Sequence, residues 1–214
     1  MRARSFAAAL FAASMLAGCA STDPIETGGV PSASSVVRIE TDTGLGSGVY
    51  IGGGVVITAA HVVATSSGTI KLRSDDGDVQ QGEVLWINQQ YDIAAVRPAN
   101  SKRFAAASLS CRTPSVGEEI TAKGNPFGLK FITMRGYVAS KPSEYSPSWK
   151  SAFIVDVSMA SGMSGGPAYD QYGKVVGINV GVVDPHGNER GSTSGFAFVV
   201  PSNAVCGLLG REGV

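Results

Sequence analysis

His61 and His186 are the only imidazoles in the chain, so the search for a general base is short. His61 closes the run GGGVVITAAH at the end of an apolar strand, where Ala59 and Ala60 leave room around a ring. His186 lies in VVDPHGNERG, a polar turn sequence, and reads as a solvent-facing loop residue. A lone histidine after a strand is more often structural than catalytic. Asp92 changes that weighing. In QQYDIAAVRP it heads a strand that runs straight into Ile93, Ala94, Ala95 and Val96. A carboxylate entering a core is costly unless hydrogen-bonded, and an imidazole N–H is an effective donor. Taken alone, Asp92 is also an ordinary turn aspartate.

The third residue is Ser164, in ASGMSGGPAYD. Glycines at 162, 165 and 166 admit backbone angles that other residues resist and leave space for an approaching carbonyl. If the N–H groups of Gly162 and Ser164 point at one spot, they form an oxyanion hole. Nucleophile, base and orienting carboxylate together are the parts of acyl transfer. A glycine turn with a bystander serine fits the same letters. So does GxSxG, the nucleophile elbow of α/β-hydrolases, with Asp184 and His186 pressed into service as acid and base. That fold needs alternating strands and helices around the elbow, whereas residues 165–214 are mostly strand-like, so it is set aside.

The segments that must position these residues are short and β-rich. SVVRIET, GSGVYIGG, GVVITAAHVV, GTIKLRS, GEVLWIN and DIAAVRP are separated by Gly, Asp and Asn clusters. PANSKRFAAASLSCRTPS lacks alternation and reads as a linker. EEITAKGN, FITMRGYVAS, SAFIVDVS, KVVGINVGVV and SGFAFVVP follow, and PSNAVCGLLG starts a short helix with Ser202 or Asn203 as its cap. The pattern predicts an all-β chain of two similar closed sheets of about six strands each. Trp149 and Phe153 read as loop or core packing.

Lys plus Arg equals Asp plus Glu at 17 each, which argues against nucleic-acid binding through a basic surface. No P-loop, GxGxxG after a strand, or CxxC occurs, so nucleotide and zinc-ribbon readings lose their usual support. At the N-terminus, Arg2 and Arg4 precede an apolar run from Phe6 to Ala17 that is too short to span a bilayer and reads as a signal peptide. Its end, Leu16-Ala17-Gly18-Cys19, resembles the bacterial lipobox, in which cleavage precedes a cysteine that then receives lipid. An ordinary secretory signal, with Cys19 incidental, is the alternative. The expected organisation is a lipoprotein signal over 1–18, a Ser/Thr/Gly/Pro tether over 19–34, a first barrel over 35–104 and a second over 105–214. With Cys19 lipidated, Cys111 and Cys206 are left as candidates for one disulfide or as two buried thiols.

TAAHVV around His61, DIAAV after Asp92 and GMSGGP around Ser164, in that order, resemble the chymotrypsin-like serine peptidases. GLGSGVYI, KGNPFGLKFITMRGYVAS, GKVVGINVGVV and GFAFVVPSNAV resemble the protease domain of their HtrA/Deg branch, over about Gly44 to Val205. The resemblance implies two six-stranded antiparallel β-barrels with a short C-terminal helix. It also implies a Ser164/His61/Asp92 triad, an oxyanion hole at Gly162 and Ser164, polypeptide substrates and no metal or organic cofactor. It carries substrate pairing to Val180, Gly181 and Val182, the pocket floor to Ser158 and the pocket mouth to Gly195.

The resemblance also places Cys111 and Cys206 in the linker and C-terminal helix, which some trypsin-like relatives join by a disulfide. No acidic residue lies between Val157 and Pro167, which points to small or medium aliphatic side chains rather than Lys or Arg. Met163 stands where digestive relatives carry the aspartate that pairs with a freed N-terminus, so activation by that route is not expected. The chain ends soon after the last matching segment, so the PDZ domains common in this branch are expected to be absent. The resulting expectation is an envelope protein, held at the membrane through its lipid and acting as an endopeptidase. A non-catalytic peptide-binding lipoprotein and an esterase are the other readings.

Overall fold

The computed structural model describes residues 34–67, 69–183 and 194–210. Cys19, with the expected signal peptide, and the Asp184–His186 pair lie outside the described residues.

Six antiparallel strands close a first barrel in the order β1-β2-β3-β6-β5-β4. They are β1 (Val36–Glu40), β2 (Leu45–Tyr50), β3 (Val56–Ala59), β4 (Ile70–Arg73), β5 (Val79–Asn88) and β6 (Ile93–Pro98). The barrel closes where Arg38, Ile39 and Glu40 face Arg73, Leu72 and Lys71. β3 is buried along its whole length, and so are Ile93 to Val96 of β6. These strands therefore read as apolar runs, while β5, with one face in water, alternates.

The second sheet has six strands in the order β8-β7-β10-β11-β12-β9. They are β7 (Glu119–Gly124), β8 (Ile132–Tyr137), β9 (Phe153–Val155), β10 (Pro167–Tyr169), β11 (Val175–Val182) and β12 (Ala197–Pro201). Its two edges meet through a Val138–Val155 bridge, and Ala139 N–H donates to the Ile154 carbonyl at 2.8 Å. Phe153, Val155, Met159, Met163 and Val199 are among the residues of its core. β10 is the strand that periodicity misses, because three residues after a glycine run are too few to show alternation.

The linker is fixed rather than loose. Leu109 bridges Val175 of β11 in parallel, and Ser110 N–H donates to the Val175 carbonyl at 2.9 Å. Two α-helices, α1 (Ala60–Val63), a single turn, and α2 (Ser202–Leu208), and two short 3-10 turns complete the described fold. Neither expected side chain caps α2 in the usual way, because Pro201 holds the cap position. The Ser202 hydroxyl instead contacts Ser110 Oγ at 2.8 Å and the Arg112 carbonyl at 3.2 Å, tying helix to linker. A disulfide joins Cys111 to Cys206 across the same seam, with Cα atoms 5.6 Å apart.

Candidate active site

β3 ends at Ala59, so His61 rides on the one-turn helix α1 rather than on the strand itself. Asp92 precedes β6 with φ of 52°, in the left-handed region that aspartate tolerates better than most residues. That turn lets Asp92 hold the start of α1 through both its main chain and its side chain. Its carbonyl accepts the Ala60 N–H at 2.9 Å, and its Oδ1 accepts the His61 N–H at 2.9 Å. Early amides of a helical turn lack helical acceptors, so the carboxylate supplies what the helix cannot.

Asp92 Oδ2 lies 2.7 Å from His61 Nδ1. A carboxylate only accepts, so Nδ1 carries the proton and Nε2 keeps its lone pair for a proton from elsewhere. The Asp92 side chain is 7% exposed and that of His61 49%. An oriented imidazole thus stands half in solvent against a buried carboxylate.

Ser164 is half-buried in the loop between β9 and β10. Gly165 has φ of 86°, and a Cβ there would lie 2.1 Å from the Ser47 carbonyl; one on Gly162, at φ of 99°, would lie 2.4 Å from the Asn125 carbonyl. These two positions therefore need glycine, for backbone angle and for space. The Ser161 carbonyl accepts the Phe127 N–H at 2.8 Å, and the Met163 carbonyl accepts the Gly166 N–H at 3.0 Å. In a trans peptide the N–H points away from the carbonyl, so these bonds fix the directions of the Gly162 and Ser164 N–H groups. Neither N–H has an acceptor among the described residues.

Ser47 of β2 clamps this loop. Its hydroxyl donates to the Gly162 carbonyl at 2.7 Å and accepts from the backbone N–H and the Nδ2 of Asn125, both at 3.0 Å. Its own N–H donates to the Ser164 carbonyl at 2.8 Å. Met163 is buried in the second core. No sequence signal marks Ser47 or Asn125 beyond their place in GLGSGVYI and KGNPFG.

His61, Asp92 and Ser164 line one cleft of ≈ 720 Å³, together with Val180, Gly181 and Val182. No hydrogen bond joins Ser164 Oγ to the imidazole among the described residues; such contacts often tighten only with substrate bound. β10 pairs with β11 only as far as Ile178, and Asn179 then exchanges backbone bonds with Gly165 and Gly166. Residues 180–182 therefore present an open strand edge on that side. Val180 is bulged out of the ladder with β12.

Ser158 is exposed and Gly195 half-buried, and neither lines this cleft. Ala160 and Ser161 do. Phe153 is a core residue, as its pattern suggests, but Trp149 is more than packing: its indole N–H donates to Asp92 Oδ2 at 3.2 Å. The signal for it was a tryptophan in the polar loop SEYSPSWKS, whose N–H needs a partner.

The described residues contain no group of His, Cys, Asp and Glu placed to hold a metal ion, and no helix long and apolar enough to cross a membrane. A trypsin-like peptidase domain model matches residues 46–178. A probable periplasmic serine endoprotease, DegP-like, of Bartonella henselae is 30% identical over 160 residues, covering 73% of this chain and 31% of that protein. The periplasmic serine endoprotease DegP of Salmonella typhimurium is 32% identical over 172 residues, covering 78% of this chain and 35% of that protein. The chain thus spans about a third of the length of these curated relatives.

Among solved structures, an HtrA-type protease with tripeptide matches at TM-score 0.75 and 22% identity, over 84% of this chain and 60% of that one. The serine endoprotease from Yersinia pestis matches at TM-score 0.70 and 22% identity, over 84% and 62%. These two likenesses speak to the fold, which is the two-barrel arrangement described above. The family model shows the family: the chain belongs to the trypsin-like peptidases.

Proposed function

We propose that the chain is a serine endopeptidase that works in the cell envelope. The observation that carries this reading is the His61 Nδ1–Asp92 Oδ2 contact of 2.7 Å at the cleft that Ser164 also lines. Ser164 attacks the scissile carbonyl, and His61 takes its proton and returns it to the leaving amine. Asp92 holds the ring in the Nδ1–H tautomer and stabilises the imidazolium without being protonated itself. As the carbonyl becomes tetrahedral, its oxygen gains charge and is held by the N–H groups of Gly162 and Ser164, whose lack of internal acceptors supports the role.

The substrate lies extended along Val180, Gly181 and Val182, adding a strand to the open edge; main-chain pairing of this kind supplies affinity with little sequence preference. Ala160, Val180 and Val182 in the cleft, with no carboxylate between 157 and 167, favour a small or medium aliphatic side chain before the cut. Export is supported by the signal-like N-terminus and by the periplasmic relatives, and attachment to a membrane is assigned to lipid on Cys19.

The test is labelling by a fluorophosphonate probe, with Ser164→Ala and His61→Ala as controls. The expected result is covalent modification of the natural protein alone. A folded natural protein that stays unlabelled from about pH 6 to 9, a range that brackets the ordinary imidazole value, would overturn the catalytic reading and favour peptide binding alone. Cleavage of ester but not peptide substrates would favour an esterase.

A further inference from the structure

The carboxylate of Asp92 has more donors than His61 accounts for. Oδ1 takes the His61 backbone N–H and Oδ2 the ring Nδ1–H; Oδ2 also takes the indole N–H of Trp149 at 3.2 Å. His61 and Asp92 come from the first barrel. Trp149 comes from the second, in the loop between β8 and β9.

That loop is built to deliver the indole. Trp149 N–H donates to the Ser146 carbonyl at 2.9 Å and Tyr145 N–H to the Trp149 carbonyl at 3.2 Å, a tight local turn. Lys150 N–H reaches across to the Gln90 carbonyl at 2.9 Å, two residues before Asp92. The ring lies 4.8 Å, centroid to centroid, from Phe198 of β12. It also lies so close over β11 that a Cβ on Gly181 would meet its Cη2 at 2.6 Å. Backbone bonds, ring contact and a glycine floor thus fix one indole orientation, with its N–H on the carboxylate.

We infer that Trp149 is a positioning residue for the reaction: its indole N–H, delivered from the second barrel, holds the Asp92 carboxylate in the orientation that aims the His61 imidazole. This rests on the serine-peptidase reading above. The physical reason is the carboxylate's freedom. With His61 as its only partner, on both oxygens, the carboxylate and the ring can shift together. A donor from a separate element pins Oδ2, and a hydrogen bond to a charged group is stronger than one between neutral groups. Because Trp149 also lines the cleft, the contrary reading is a platform for substrate side chains, which acts on binding rather than on the chemical step.

The experiment compares the natural protein with Trp149→Phe and with a benzothiophene analogue of tryptophan at position 149, which keeps the ring's shape and replaces N–H by sulfur. The substrate is p-nitrophenyl acetate, too small to reach the outer cleft, followed by the fluorophosphonate inactivation rate. Both variants are expected to lower kcat about 10-fold with KM unchanged, the size of a lost hydrogen bond to a charged group. Probe inactivation should fall in the same proportion. Natural rates in the analogue would overturn the inference, as would a rise in peptide KM with ester turnover intact. If Trp149→Phe does not fold, the analogue decides alone. A natural protein that never acylates sinks the peptidase reading, and this inference with it; an active natural protein matched by its analogue sinks this inference only.

Discussion

Ser47 Oγ donates to the Gly162 carbonyl at 2.7 Å, so a hydroxyl from the first barrel fixes a peptide of the loop that carries Ser164 in the second. With two bonds accepted from Asn125, this hydroxyl has no capacity left over. Ser47→Ala would leave a buried carbonyl and two buried donors short of a partner, at a cost of about 1–3 kcal/mol. The expected outcome is a lower denaturant midpoint and an acylation rate reduced more than substrate affinity. A variant of unchanged stability would show that water replaces the hydroxyl.

Asp92→Asn should leave the fold intact and the chemistry crippled. An asparagine can present N–H where Oδ2 now accepts, which favours the wrong imidazole tautomer; the corresponding change in a well-studied serine protease lowers kcat about 10⁴-fold. Kinetics on a peptide substrate, alongside a melting curve, check both halves of the expectation.

Acidification should remove activity before it removes structure. A general base must be neutral to accept a proton, so kcat/KM is expected to fall as the solution is acidified. A profile flat from about pH 8 to 5 would contradict His61 as base.

Stability should fall at lower pH for a separate reason. The Arg112 guanidinium, hydrogen-bonded to Glu118, holds that carboxyl below the ordinary glutamate value, and the same Arg112 reaches Asp170 at 3.0 Å. A depressed carboxyl contributes stability above its unfolded value and loses it as pH falls through the folded one. Glu118→Gln should therefore melt earlier than the natural protein at pH 7, with the gap closing below about pH 4. A gap that persists there would mean the effect is packing rather than charge.

Reduction of Cys111–Cys206, which closes a segment with a sequence separation of 95, should cost about 4.7 kcal/mol in the chain-entropy account. Paired Cys→Ser substitution is expected to lower the melting temperature while leaving fluorophosphonate labelling intact at low temperature, because the bridge lies on the linker–α2 seam and not at the cleft.

The strands carrying the site were legible because they are buried on both faces: β3 and β6 announce themselves as apolar runs, and His61 and Asp92 follow from where those runs end and begin. Gly162 and Gly165 were legible because few other residues fit their angles, φ of 99° and 86°. What escaped was set by contacts distant in sequence. Trp149 lies 57 residues from Asp92 and Ser47 115 from Gly162, so nothing local in SPSWKS or GLGSGVYI states the partner. Ser158 was placed by counting back from Ser164, and a count gives position along the chain, not which way the backbone turns; it lies exposed.

The left-handed backbone of Asp92 has a consequence for which acids the site can use. Glutamate carries the same charge, yet its longer side chain would overshoot both His61 contacts, and it takes up a φ of 52° less readily than aspartate does. Asparagine accepts the torsion but lacks the charge. The turn before β6 therefore acts as a conformational sieve, admitting by shape of the main chain the one side chain that also answers the electrostatics.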